Sequence, residues 1–249
     1  MGSEPRNFTR RDDAGTRILV RQGFEWLVTA DGRTPSGVHV IGRTAGGRDS
    51  HPVAETPDGE RILLRDYRRG GAIRHFNHKT YFFGNRALDE LRVTVAAADR
   101  GVRVPRVIAA IEWPQRFGYT ARLMVEWIDG AIDLARWLIT SAPENRAGMM
   151  RTVGEELARM HNSGISHPDL NLRNLLVVPG DEQGKSRVVI IDFDGATIRD
   201  QPLPSRLRRA ALRRMTRSSW KLGVPVGIPE NEALAEGYGA SWPFDTALG

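Results

Sequence analysis

The sequence contains no cysteine, so no disulfide can staple it and no thiolate can hold a metal; a bound cation would need oxygen or imidazole ligands. Long apolar runs are missing too. The longest extend about four or five residues, far short of the roughly 18 that a bilayer-crossing helix needs. The opening residues, MGSEPRNFTRRDDAGTR, mix both signs of charge and lack the apolar core of a secretory signal, which predicts a cytosolic protein. Aromatic residues are sparse, at 7%, and are not interleaved with the basic residues as single-strand nucleic-acid binders require, so no nucleic acid is expected as partner. Acidic residues are the minority charge: 30 against 36 Lys and Arg, a formal net charge of +6 that favours an anionic partner such as a nucleotide or a phospholipid surface. No internal repeat or low-complexity tract is present. What remains is a chain of 249 residues, 40% hydrophobic, large enough for one big domain or two lobes.

Up to about residue 80 the chain is rich in Gly, Arg and Thr. Short apolar runs at Phe24 to Val28, Val38 to Ile41 and Arg61 to Leu64, bounded by turns such as Asp31-Gly32 and Pro57-Asp58-Gly59, predict a small antiparallel sheet. From Asn85 to Asp99, Leu88, Leu91, Val95 and Ala98 recur at helical spacing and stop at Gly101. Two more strands are expected at Val107 to Ile111 and Ala121 to Val125. The break at Glu126-Trp127-Ile128-Asp129-Gly130 predicts a boundary, dividing the chain into an N-terminal lobe over 1–125, a hinge over 126–130 and a C-terminal lobe over 131–249. Helices are expected from about Ile132 to Ile139, through Val153, Leu157 and Met160 into His161, and over 206–221.

The stretch HPDLNLRNLLV, residues 167–177, precedes two runs of four apolar residues, Leu175 to Val178 and Val188 to Ile191, separated by PGDEQGKSR. These runs predict a buried hairpin. Closing it would bring Asp169 and Asn174, before one strand, to the same end as Asp192, after the other. Two carboxylates and an amide make an oxygen-rich site able to hold magnesium and leave one carboxylate free, as phosphoryl transfer requires. His167 reads as a hydrogen-bonding brace of this loop, and His161 as a helix-end residue.

HPDLNLRNLL resembles the H-x-D-x-x-x-x-N catalytic loop of kinase-like phosphotransferases, and IIDFDGA their metal-binding Asp-Phe-Gly segment, with Asp194 where glycine would stand. Further segments, IGRTAGGR, ILLRDYRRGG, YFFGNRALDELR, GVRVPRV, GEELARMHNSGISHPDLNLRNLL and LRRMTRSSWK, resemble in that order the lipopolysaccharide core kinases, nearest those acting on 3-deoxy-D-manno-octulosonic acid (Kdo), over roughly residues 40 to 221. The resemblance implies an α+β, two-lobed protein-kinase-like fold, with a small antiparallel-sheet lobe and a larger, mainly helical lobe carrying the catalytic hairpin. It implies transfer of the ATP γ-phosphate to a Kdo hydroxyl on a lipid A precursor, with Mg2+, at the cytoplasmic face of the inner membrane. Asp169 would be the catalytic base, and Asn174 and Asp192 the magnesium ligands. Arg65 would anchor the phosphates where protein kinases use lysine, paired with Glu90, with Arg68 or Lys79 as alternative anchors. Gly42, Gly46 and Gly47 would line the phosphate loop, and Glu126 to Ile128 the adenine-binding hinge.

Other acceptors, a heptose, an aminoglycoside or a protein serine, fit the same loop chemistry. A binding-only module with a basic surface is the rival from another class, and the complete Asp169, Asn174 and Asp192 set speaks against it. Positions 201–221 hold no acidic residue. The helix there sets Leu207, Ala211 and Met215 on one face and Arg206, Arg209, Arg213 and Arg217 across from them, which predicts docking on an anionic membrane surface that presents the lipid-linked acceptor.

Overall fold

The computed structural model describes residues 4–13, 15–29, 35–44, 50–67, 86–115, 118–180, 186–224 and 226–244. Gly46, Gly47, Arg68, Lys79 and the Asp31-Gly32 turn lie outside the described residues. The chain forms two compact units. The first comprises Met1–Val95 with Arg106–Trp127, and the second Ala96–Pro105 with Ile128–Gly249.

The first unit is a seven-stranded antiparallel sheet. Its strands are β1 (Phe8–Asp13), β2 (Thr16–Arg21), β3 (His39–Arg43), β4 (Pro52–Glu55), β5 (Arg61–Tyr67), β6 (Val107–Gln115) and β7 (Gly118–Glu126), in the order β1-β2-β6-β7-β5-β4-β3. Alternation along each strand separates two apolar clusters. Ile18, Val20, Ile62, Leu64, Ile111 and Met124 belong to one; Leu19, Ala110, Leu123 and Val125 pack with Leu88 and Leu91 in the other. Leu88 and Leu91 come from helix α1 (Arg86–Asp99), whose apolar stripe the sheet covers. Each such side chain stabilises the unit by about 1.5–3 kcal/mol when fully buried.

Glu112 on β6 fixes where α1 begins. Its Oε1 accepts from the backbone N–H groups of Ala87 (3.0 Å) and Leu88 (3.3 Å), and its Oε2 lies 2.8 Å from an Arg17 nitrogen. A carboxylate at a helix N-terminus satisfies orphan donors and complements the dipole. Burial pushes the Glu112 carboxyl above its ordinary value, with the Leu88 N–H and Arg17 acting against it.

Three sequence expectations change here. Phe24 to Val28 is not a strand: Glu25–Leu27 form a 3-10 turn, because Gly23 takes φ +88° and the Glu25 carboxylate accepts from the Gly23 N–H. The buried Leu27 supplied the apolar signal without the extended backbone. The sheet is also larger than expected, by β1, which is rich in Arg and Asp and carries too few apolar residues to announce itself, and by β2, whose short Ile18-Leu19-Val20 run sits between two arginines. Ile132–Asp133 form a short strand, β8, and the following helix, α2, runs Leu134–Thr140, capped by Asp133 Oδ1 accepting from the Arg136 N–H at 3.0 Å.

The second unit contains α2, α3 (Pro143–Asn162), α4 (Ser205–Leu222) and α5 (Ile228–Tyr238). Two small sheets complete it. One orders β11 (Arg187–Ile190), β10 (Leu175–Val178) and β8; the other pairs β9 (Ile165–Ser166) with β12 (Thr197–Ile198). Glu156 on α3, fully buried, accepts from the Arg103 N–H at 2.6 Å and from its guanidinium at 2.7 Å, while the Arg103 carbonyl accepts from Ile190 N–H at 2.9 Å. The 96–105 segment is thereby tied to both α3 and the hairpin.

Candidate active site

The hairpin's register places its flanks. Leu175 pairs with Ile190 and Val178 with Arg187, so Asn174 and Ile191 lie at one end, and Ile191 N–H donates to the Asn174 carbonyl at 3.0 Å. β9 and β12 tie together the loop entering Asp169 and the loop leaving Asp192. Between the end of α3 and β9 the chain must turn sharply. Gly164 does so at φ +77°, and a Cβ there would stand 2.3 Å from the Arg199 carbonyl oxygen, so no other residue fits.

Asp169 is exposed, and two amides hold its backbone. Asn174 Nδ2 and Asn171 Nδ2 each donate to the Asp169 carbonyl at 2.9 Å, and Asn171 Nδ2 also reaches Asp169 Oδ2 at 3.2 Å. Asn171 Oδ1 accepts from the Arg173 N–H at 2.9 Å, opening the 3-10 turn Leu172–Asn174 that delivers Asn174. Asn174, 8% exposed, spends its nitrogen on this clamp, and its amide oxygen is the atom left for a cation.

Asp192 has φ +67°, the one positive value at a non-glycine among the described residues. Held there, its backbone is in a sparsely populated conformation of the kind that persists when the surroundings over-determine it. Those surroundings are visible. His167 Nε2 donates to the Ile191 carbonyl at 3.0 Å, and Phe193, 1% exposed, sets its ring 5.2 Å from the His167 ring. Burial pushes the His167 imidazole below its ordinary value, against the raising influence of the Ile191 carbonyl and Asp192. The ring acts as a brace.

In the first unit, Arg65 on β5 and Glu90 on α1 meet at 2.7 Å. Glu90 is 3% exposed, and its other oxygen accepts from the Tyr67 hydroxyl. Tyr67 stands two residues beyond Arg65 on the same strand face, a relation the period of a strand makes legible, though the sequence reading did not use it. Gly42 lies in β3 opposite Val53. Glu126 ends β7 and donates its N–H to the Arg106 carbonyl at 2.9 Å; Ile128 opens the second unit and accepts at its carbonyl from Ala131. Asn171, which holds Asp169 from two residues away, and Tyr67, which meets Glu90 across the fold, are the supporting residues that motif spacing missed.

A profile of the lipopolysaccharide kinase (Kdo/WaaP) family matches residues 45–238. The chain is 37% identical over 142 residues to a 3-deoxy-D-manno-octulosonic acid kinase of Vibrio parahaemolyticus, covering 55% of this chain and 56% of that one. It is 30% identical over 214 residues to the enzyme of the same name from Xylella fastidiosa, covering 79% and 82%. Among solved structures, WaaP in complex with acyl carrier protein superposes with a TM-score of 0.56 at 17% identity, over 80% of this chain and 78% of that one. The fold is kinase-like.

Proposed function

The chain belongs to the lipopolysaccharide kinase (Kdo/WaaP) family, and from that premise we propose that it transfers the γ-phosphate of ATP to a hydroxyl of Kdo on a lipid A precursor. The observation that carries this reading is the single end of the hairpin shared by Asp169, Asn174 and Asp192, with the Asn174 amide clamping Asp169. Asp169, exposed and held by its backbone, orients the acceptor hydroxyl and takes its proton as the phosphoryl group is transferred. The Asn174 amide oxygen and the Asp192 carboxylate would hold Mg2+, a hard cation that prefers oxygen ligands. When bound, Mg2+ neutralises charge on the transferring phosphoryl group. Arg65, oriented by Glu90, anchors the nucleotide phosphates with a charge that pH cannot remove. Gly42, Gly46 and Gly47 contribute backbone N–H groups to those phosphates, and the backbone of Glu126 to Ile128 contacts adenine.

No helix among the described residues is long and apolar enough to cross a membrane. The acceptor is lipid-linked, so the enzyme works as a peripheral protein on the cytoplasmic face of the inner membrane, docked through exposed Arg206, Arg209, Arg213 and Arg217 of α4. The reaction is tested by mass spectrometry of a Kdo-bearing lipid A precursor incubated with enzyme, ATP and magnesium. One added phosphoryl group on Kdo is the expected product. An unmodified Kdo acceptor beside a phosphorylated heptosylated core, aminoglycoside or peptide would move the assignment to that acceptor.

A further inference from the structure

Helix α1 is held at its start by a residue that does not belong to it. The group that accepts from a helix's first N–H groups ordinarily stands at the N-cap and travels with the helix. Here the acceptor is Glu112 of β6, 25 residues beyond Ala87 and 24 beyond Leu88. Its bonds therefore fix where α1 lies on the sheet as well as where it begins. Glu112 is itself immobilised: it is 1% exposed and sits between β2 and β7, opposite Arg17 on one side and Ala121 on the other. One carboxylate oxygen is hydrogen-bonded to the helix, and the other is ion-paired at 2.8 Å with the Arg17 guanidinium.

The turn that Glu112 caps leads straight to Glu90. Three residues separate Glu90 from Ala87, about 4.5 Å along the helix axis, and Glu90 meets Arg65 of β5 at 2.7 Å. Arg86, the first residue of α1, lies over the Tyr67 ring at 5.0 Å; the Arg65 guanidinium lies 5.5 Å from the same ring, and the Tyr67 hydroxyl donates to Glu90. Polar groups of the sheet thus grip α1 at two places, Glu112 at its first turn and Arg65 with Tyr67 at Glu90. Strand β7 lies between β6 and β5, so the sheet holds Glu112 and Arg65 at a set separation, which the helix spans. Without Glu112, Arg65 and Tyr67 must locate the helix as well as be held by it. Any slide of α1 then moves Glu90 and the guanidinium it orients.

We infer that Glu112, backed by Arg17, is a positioning residue of the nucleotide site: it sets the register of α1 on the sheet and, through Glu90, the direction of the Arg65 guanidinium. The effect on ATP binding rests on the reading of Arg65 as the phosphate anchor; the register itself does not.

The test is calorimetric titration of the full chain with ATP and magnesium, beside NMR of its nitrogen-labelled arginine side chains without nucleotide, the Arg65 signals being identified by their loss in Arg65→Lys. Glu112→Gln keeps an oxygen for the two N–H groups and loses the charge that pairs with Arg17. Glu112→Leu leaves both N–H groups without their acceptor. The Kd for ATP should rise about threefold in the first and about tenfold in the second, the size typical of losing a group that orients a ligand from behind, while KM for the sugar acceptor holds. The Arg65 signals should shift in both. A residue that only stabilises the fold would lower the melting temperature and leave the Arg65 signals of the folded variants where they were; that result overturns the positioning role. Where Glu112→Leu does not fold, Glu112→Gln decides. Shifted Arg65 signals with an unchanged Kd, or a wild type that does not bind ATP, remove Arg65 from the nucleotide site and leave the register standing.

Discussion

Gly237 of α5 lies so close to Arg151 of α3 that a Cβ added to it would stand 2.0 Å from the Arg151 carbonyl oxygen. The contact is backbone to backbone, so no side-chain rotation can relieve a clash. Gly237→Ala should force the helices apart and destabilise the protein by about 3 kcal/mol, the upper part of the usual overpacking range. Gly154→Ala, facing the Leu234 carbonyl, should behave alike. Urea midpoints measure both, and a loss below about 1 kcal/mol would show that the helices do not cross this tightly.

Asp169→Asn keeps the side chain's shape and removes its basicity. Turnover should fall roughly 100- to 10,000-fold, about 3–5 kcal/mol in the barrier, with ATP binding and the melting curve retained. Steady-state kinetics beside nucleotide titration check this, and near-normal turnover removes the base role.

Phosphoryl transfer should require magnesium or manganese and stop in excess chelator. Asp192→Asn should raise the metal concentration needed for half-maximal rate, because a neutral amide replaces the charged ligand. Full activity in chelator is incompatible with Asn174 and Asp192 as ligands.

Stability should fall on acidification. His161 has a folded pKa of about 3 against an ordinary 6.5, so the unfolded chain binds the extra proton in between. Its contribution is complete above about pH 6.5 and is lost as pH falls toward 3, at up to ~1.4 kcal/mol per pH unit. His167, also lowered, acts in the same direction. Urea midpoints at pH 7.5 and 5.5 give the slope, and His161→Gln should flatten it. Equal slopes in wild type and variant would show that His161 does not take up the proton.

Replacing Arg206, Arg209, Arg213 and Arg217 together with glutamine should abolish co-sedimentation with anionic vesicles at low salt. Activity on a detergent-dispersed acceptor should change little. Each arginine near such a surface contributes about 1 kcal/mol at best. Arg209 donates to the Pro243 carbonyl at 2.6 Å and Arg213 lies over the Phe244 ring at 5.5 Å, so a melting curve must accompany the assay. Vesicle binding that survives the substitutions rules this helix out as the dock.

That Asp169, Asn174 and Asp192 come to one end of a hairpin was legible because the arrangement is local. Asp169, Asn174 and Asp192 flank two strongly apolar strands, and a hairpin can place those flanks in only one way. The helix carrying Glu90 was legible from its apolar spacing, and the exposed arginines of α4 from the lack of acidic neighbours. Other features depended on distant parts of the chain. β1 is too polar to declare itself, yet the sheet accepts it through its pairing with β2, whose Leu19 and Val20 are buried on opposite faces. Arg208 looks in the sequence like one more arginine of a basic helix, and only the packing of α3, α4 and α5 buries it against Asn162 and Tyr238. A local apolar period determines which elements form and which of their residues face inward. Which buried polar groups meet is decided by tertiary structure, since a hydrogen bond between residues 77 positions apart, such as His161 with Tyr238, has no period to announce it.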